Sequence, residues 1–236
     1  MGSHYVFSDI HGNYKLFKKI KDFLHQDDVC YVLGDCADRG TKGYTIIKEV
    51  LQDGRFIYIK GNHEDLFATS ILTQDTSYIE CWFQNGGFPT FQEFKKDNPS
   101  IELIEKINSL PVKAVYTSLK GITYIMTHAG FRYSASEEER DYLWDRTHFN
   151  YDDDIPKDTV LIHGHTSARY LMGAGIKGEY LKCENCNGRS AAYSYNNGHK
   201  IDIDCGTAMS KFIVLYNLDN NKVYGFKEGG EANDKI

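Results

Sequence analysis

Apolar residues recur along the chain in two rhythms. Tyr5-Val6-Phe7 is a short β-prone run, and Leu16, Phe17, Ile20, Phe23 and Leu24 follow at helical spacing, so the chain opens as a strand and then a helix. Val29-Cys30-Tyr31-Val32-Leu33 predicts a second buried strand. Tyr44, Ile47, Val50 and Leu51 mark the next helix, and Phe56-Ile57-Tyr58-Ile59 a third strand. Such alternation implies a parallel sheet with helical crossovers. From Glu64 to about Leu110 the pattern is helical, with breaks at Gly86-Gly87, Pro89 and Pro99 and a stop at Pro111, which predicts a helical cap segment. Strands are then expected around Val112–Leu119, Ile122–Met126, Val160–Ile162, Ile201–Ile203, Phe212–Tyr216 and Val223–Phe226, with few helical patterns between them. The expected fold is α/β, two sheets packed together with helices outside, in a single domain over residues 1–236.

Composition narrows the picture. Apolar residues at 41% and charged residues at 25% describe a packed chain and exclude a disordered or fibrous one. A formal net charge of −6 argues against a nucleic-acid partner, which needs a net basic face. No apolar run approaches the roughly 18 residues that span a bilayer, and no signal-like stretch opens the chain, so a cytoplasmic protein without a membrane partner is expected. The six cysteines are scattered, unlike the framework of a small secreted domain, and reduced thiols are expected.

The chemistry lies just past the predicted strands, where ligands collect in α/β sheets. Five clusters stand there: Asp9-Ile10-His11-Gly12-Asn13, Gly34-Asp35-Cys36-Ala37-Asp38-Arg39-Gly40, Gly61-Asn62-His63-Glu64, Thr127-His128-Ala129-Gly130 and His163-Gly164-His165-Thr166. Each alone reads as a turn, a salt-bridged loop or a helix cap, with Glu64 in a first helical turn. In succession they supply carboxylates, imidazoles and an amide, a mixed nitrogen and oxygen set that suits Mn²⁺, Fe or Zn²⁺.

With Trp82, Asn85-Gly86-Gly87, Leu143-Trp144-Asp145-Arg146 and Ile203-Asp204-Cys205-Gly206, these motifs resemble those of the phosphoprotein phosphatase branch of the calcineurin-like metallophosphoesterases, in its bacterial and phage form, over about residues 5 to 215. The resemblance implies two divalent metal ions, Mn²⁺ foremost. Asp9, His11 and Asp35 would hold one; Asp35, Asn62, His128 and His165 would hold the other, with Asp35 as the bridge. It implies His63 as general acid with Asp38 orienting it and raising its basicity. Arg39 and Arg146 would clamp phosphate; Arg146 rests on a shorter motif and also reads as a surface arginine. The implied reaction is attack of a metal-bridging hydroxide on a phosphate ester, the substrate being a phosphorylated protein or a small phosphoester.

Rival readings have their own residues. Cys183 and Arg189 fit the Cys-x5-Arg spacing of cysteine-dependent phosphatases, although Glu184 would repel phosphate. Cys183-x2-Cys186 could be half of a zinc knuckle, but no second half follows. A symmetrical dinucleoside tetraphosphatase shares the early motifs, and a binding-only relative would have lost a ligand position, which this chain has not. The Gly-, Asn- and Tyr-rich stretch from Gly173 to His199 reads as a loop insertion bordering the site. His163 is left outside the metal shell, and His4, His25, His148 and His199 read as surface or loop residues.

Overall fold

The structure, a computed structural model, describes residues 2–186 and 192–229. β1 (His4–Phe7), α1 (Tyr14–Phe23), β2 (Val29–Leu33), α2 (Gly43–Gln52) and β3 (Phe56–Ile59) follow the expected alternation. Helices α3 (Asn62–Thr73), α4 (Thr76–Gln84), α5 (Phe88–Asp97) and α6 (Ile101–Asn108) fill the middle of the chain. Pro89 does not break a helix; it lies in the first turn of α5, where its missing N–H costs no hydrogen bond. The rest comprises β4 (Lys113–Thr117), β5 (Thr123–Thr127), β6 (Thr159–His163), α7 (Ala168–Gly173), β7 (Gly178–Tyr180), β8 (Tyr193–Tyr195), β9 (Lys200–Asp202), α8 (Thr207–Ser210), β10 (Phe212–Asn217) and β11 (Val223–Lys227).

The strands form two mixed sheets. The first has five strands in the order β11-β10-β1-β2-β3, and the second six in the order β4-β5-β6-β9-β8-β7. In the first, β1, β2 and β3 run parallel; in the second, β5, β6 and β9 do. Both faces of the first sheet are buried, which explains why its strands read as continuous apolar runs. Tyr5, Phe7, Cys30, Val32 and Tyr58 pack under helical residues such as Leu16, Phe17, Ile47 and Phe67. The alternate residues Val6, Tyr31, Leu33 and Ile59 meet Tyr124, Met126, Ile162 and Ile201 of the second sheet. The result is a two-sheet sandwich flanked by helices. Among the described residues no helix is long and apolar enough to cross a membrane.

Two expectations need correction. The 173–199 stretch is not all loop: β7 and β8 pair with each other and with β9, extending the second sheet. Such three-residue strands, rich in Tyr, Gly and Ser, carry too little apolar periodicity to stand out. Cys183 and Cys186 are joined as a disulfide with Cα atoms 5.6 Å apart, within the span a disulfide bridges, whereas Cys30, Cys36, Cys81 and Cys205 are free. A paired sulfur is no thiolate nucleophile, so the cysteine mechanism loses its attacking group; Arg189 lies outside the described residues.

Candidate metal centre

The parallel strands of both sheets end at one place. Ser8 and Asp9 follow β1, Gly34 and Asp35 follow β2, Asn62 opens α3 after β3, His128 follows β5 and His165 follows β6. The turns are tight. Asp9, His11, Asp35, Asp38, Arg39 and His165 all have positive φ, between 45° and 67°. Non-glycine residues rarely adopt such angles, and the strain is tolerated because the surrounding packing dictates the turns. At Gly34, with φ +79°, a Cβ would run into the backbone of Gly61, so the second and third loops can touch only without a side chain there.

Glu64 locks these loops together. Its Oε2 accepts from the N–H groups of Asp35 (2.7 Å) and Gly61 (2.9 Å), and its Oε1 from that of Ala37 (3.0 Å). It is fully buried. Sequence reasoning saw only a first-turn glutamate; the available signal was its place three residues after Gly61, as in a capping box.

Two groups of donors converge. In one, Asp35, His128 and His165 gather with Asn62: His128 Nε2 lies 3.4 Å from Asp35 Oδ1, 2.9 Å from Asn62 Oδ1 and 3.1 Å from His165 Nδ1. His128 Nδ1 lies 2.7 Å from the carbonyl of Leu33, which can only accept, so that nitrogen carries the proton and Nε2 presents a lone pair. Several acceptors thus face one another with too few protons to satisfy them. The opposite nitrogen of His165, Nε2, is buried without a hydrogen-bond partner among the described residues. Lone pairs crowded in this way fit a cation.

In the other group, His11 Nε2 and His63 Nε2 lie 3.6 Å and 3.7 Å from Asp35 Oδ2. Asp35 therefore stands between the groups, as a bridging carboxylate would. Asp9 is less engaged: its Oδ1 is 4.0 Å from His11 Nε2, while its Oδ2 accepts from the Ser8 hydroxyl and from His165 N–H at 3.0 Å. The Arg39 guanidinium covers this side, with Nη1 2.8 Å from His11 Nε2 and Nη2 3.0 Å from His63 Nε2. It supplies positive charge where nitrogen lone pairs converge. Arg146 is held beside the His165 loop, donating to Thr166 Oγ1 at 3.0 Å and to the His165 carbonyl at 3.4 Å.

Electrostatics agree with a site built for cations. Burial, then the neighbouring Asp9 and Glu64, pushes the Asp35 carboxyl well above its ordinary range. Burial pulls His11 and His165 down, so both are neutral imidazoles able to ligate. His63 Nδ1 bonds Asp38 Oδ2 at 2.7 Å. Burial and Arg39 lower His63 to about 3, and burial raises Asp38 to about 7, so the expected gain in His63 basicity from Asp38 is outweighed.

His163 turns away from both groups to bond Tyr195 and the Gly164 carbonyl. His148 is not a surface residue but buried, against Gly130. Its polar neighbours Arg146 and Thr147 hid this.

Known proteins share these features. A family model for calcineurin-like phosphoesterases matches residues 4–203. A symmetrical bis(5'-nucleosyl)-tetraphosphatase from Wigglesworthia glossinidia brevipalpis is 33% identical over 66 residues, which is 26% of this chain and only 24% of that protein. A solved structure provisionally assigned as a diadenosine tetraphosphatase superposes with a TM-score of 0.63 at 12% identity, covering 97% of this chain and 95% of the other. A protein serine/threonine phosphatase from Saccharomyces cerevisiae gives 0.56 at 13% identity over 98% and 81%. A cold-active protein-tyrosine phosphatase of a psychrophilic Shewanella gives 0.55 at 13% over 94% and 77%. At such identities the structural likeness speaks to the fold alone.

Proposed function

The chain belongs to the calcineurin-like phosphoesterase family, and from that premise we propose that it is a two-metal phosphomonoesterase acting on phosphoserine or phosphothreonine in proteins. The observation that carries this reading is the buried His63–Asp38 pair, whose second imidazole nitrogen, met by Arg39, lies 3.7 Å from the Asp35 carboxylate shared by two groups of metal-competent donors. His11, Asp35 and Asp9 would hold one divalent cation, and Asp35, Asn62, His128 and His165 the other. Such cations supply Lewis acidity and an activated water, with Mn²⁺ suited to this donor set.

The chain's own groups do the rest. Asp38 fixes the His63 ring through Nδ1, and Nε2 is a lone pair while Arg39 donates to it. His63 would act as general acid only once Arg39 has moved to phosphate and Nε2 has taken up a proton to hand to the departing alkoxide. Arg39 leaves its two histidines to pair bidentately with phosphate oxygens. Arg146, positioned by Thr166, would add a second guanidinium from beside His165. Glu64 keeps the Asp35 and Gly61 loops in register.

The local identity with a symmetrical dinucleoside tetraphosphatase supports a second reading, cleavage of a phosphoanhydride. One experiment separates them. Chelator-stripped protein is reloaded with Mn²⁺ and offered a phosphothreonine peptide and diadenosine tetraphosphate at equal concentration. We expect no turnover before reloading and a kcat/KM favouring the peptide. Preference for the dinucleotide would transfer the function to the second reading, and full activity of the stripped protein would remove both.

A further inference from the structure

Behind the histidine cluster lies a second buried polar group that none of the roles above uses. His148 sits in a 3₁₀ turn at His148–Asn150, His163 ends β6, and Tyr195 ends β8. The Tyr195 hydroxyl is 2.7 Å from His163 Nε2 and 3.1 Å from His148 Nε2. His163 Nδ1 is 3.1 Å from the Gly164 carbonyl.

A count of protons orders this chain. The Gly164 carbonyl can only accept, so His163 Nδ1 carries the hydrogen and His163 Nε2 is a lone pair. Tyr195 then donates to His163, and its oxygen accepts from His148 Nε2–H. That order satisfies all three contacts, whereas the reverse would set a bare His163 Nδ1 against the carbonyl.

Each end of the chain abuts a loop that carries a candidate ligand. Gly164 precedes His165, and its N–H donates to the carbonyl of His128 at 2.8 Å. The His148 ring lies against Gly130, two residues past His128, so closely that a Cβ at Gly130 would run into the imidazole. A single hydroxyl thereby ties together, from behind, the two loops that bring His128 Nε2 and His165 Nδ1 to 3.1 Å. That hydroxyl comes from the 173–199 segment, through a strand paired to β9 at Tyr195 and Lys200.

We infer that Tyr195 is a positioning residue for the metal pocket of Asp35, Asn62, His128 and His165, setting the spacing of its two imidazoles without touching the ion. The inference rests on the metal-binding reading above. Its physical basis is that hydrogen bonds made directly to ligands fix their orientation and commonly carry about 10- to 100-fold in metal affinity. A hydroxyl acting through His163 and His148 on the ligand loops should carry no more than the lower end of that range.

Calorimetric titration of chelator-stripped protein with Mn²⁺ tests it. The wild type should show two binding events. Tyr195→Phe, which deletes only the hydroxyl, should weaken one event by up to about 10-fold and leave the other unchanged. Turnover lost at low Mn²⁺ should return at saturating Mn²⁺, which a general structural defect would not allow. His148→Asn, cutting the other end of the chain, should weaken the same event less. Two unchanged events in Tyr195→Phe, or equal weakening of both with a collapsed melting transition, would overturn the inference. A wild type binding fewer than two equivalents would instead overturn the metal reading itself.

Discussion

His63 Nδ1 lies 2.7 Å from Asp38 Oδ2 in the protein interior, and Trp82 Nε1 reaches both oxygens of the same carboxylate at 3.0 Å. The indole holds the carboxylate in one orientation, and Thr90, whose hydroxyl accepts from the Asp38 N–H at 2.8 Å, fixes the backbone that carries it. The Asp38 carboxylate in turn holds the imidazole. A ring restrained so fully, with Nε2 met by Arg39 at 3.0 Å, would suit the proposed proton transfer once Arg39 moves away.

The first prediction separates that role from metal ligation, which the 3.7 Å approach of His63 Nε2 to Asp35 Oδ2 would also allow. His63→Asn should retain both metals and lower turnover of phosphoserine peptides by about 10²- to 10⁴-fold, the range for a lost general acid. The loss on p-nitrophenyl phosphate should be much smaller, because its leaving group is stable as an anion. Asp38→Asn should show the same contrast in weaker form. Loss of one metal equivalent, or equal losses on both substrates, would count against proton donation.

A second prediction ranks Asp35 against Cys183. Asp35→Asn leaves the two donor groups without their shared carboxylate and should abolish turnover and cut metal content. Cys183→Ser breaks a disulfide in a turn beside β11 and should leave kcat within a few-fold. Turnover kinetics on both variants, with metal analysis of the same samples, decide the matter. The reverse ranking would restore a thiol-based reaction.

Much of this was legible before the structure. Tyr5 to Phe7, Val29 to Leu33 and Phe56 to Ile59 read as strands because both faces of their sheet are buried. The candidate ligands were legible because each follows a strand, and parallel strands deliver their ends to one place. What stayed hidden depends on contacts distant in sequence. Glu64 bonds amides 27 and 29 residues away. Tyr195 meets His163 across 32 residues and His148 across 47. No local periodicity encodes such pairings, and Asp38's effect on His63 could not be weighed without the depth of burial.

A third prediction concerns stability. Lys200 is fully buried, its Nζ 2.6 Å from Asp153 Oδ2 and 3.2 Å from the His148 carbonyl. Lys200→Met strands the Asp153 carboxylate and should cost about 3–5 kcal/mol, read as a lower urea midpoint. Asp153→Asn combined with Lys200→Met should recover part of that loss. The hydrogen bond from Lys200 and those from Tyr133 and Ser134 outweigh burial and hold Asp153 below its ordinary value. A depressed acid stabilises above its unfolded pKa, about 3.9, and that contribution fades as pH falls through the folded value. The wild type should therefore lose stability faster than the double variant below about pH 4. Parallel acid limbs would refute the assignment.

The last prediction tests Glu64, which takes three amide N–H groups on two oxygens. Glu64→Gln is nearly isosteric, but its amide has one acceptor oxygen and one donor nitrogen. If the oxygen keeps the amides of Asp35 and Gly61, the NH₂ group must face the N–H of Ala37, donor against donor. If it keeps Ala37 instead, two amides are abandoned. Either way at least one buried donor loses its partner, at a cost of about 1–3 kcal/mol. Burial, the largest influence on Glu64, raises its pKa, so removal of its charge offsets some of this loss. A change in charge alone would leave geometry intact, whereas the lost acceptor moves the Asp35 loop. We therefore expect a modest fall in melting temperature together with a clear loss of metal affinity, because Asp35 lies in both donor groups. Unchanged metal affinity in a stable Glu64→Gln protein would show that Asp35 holds its place without the glutamate.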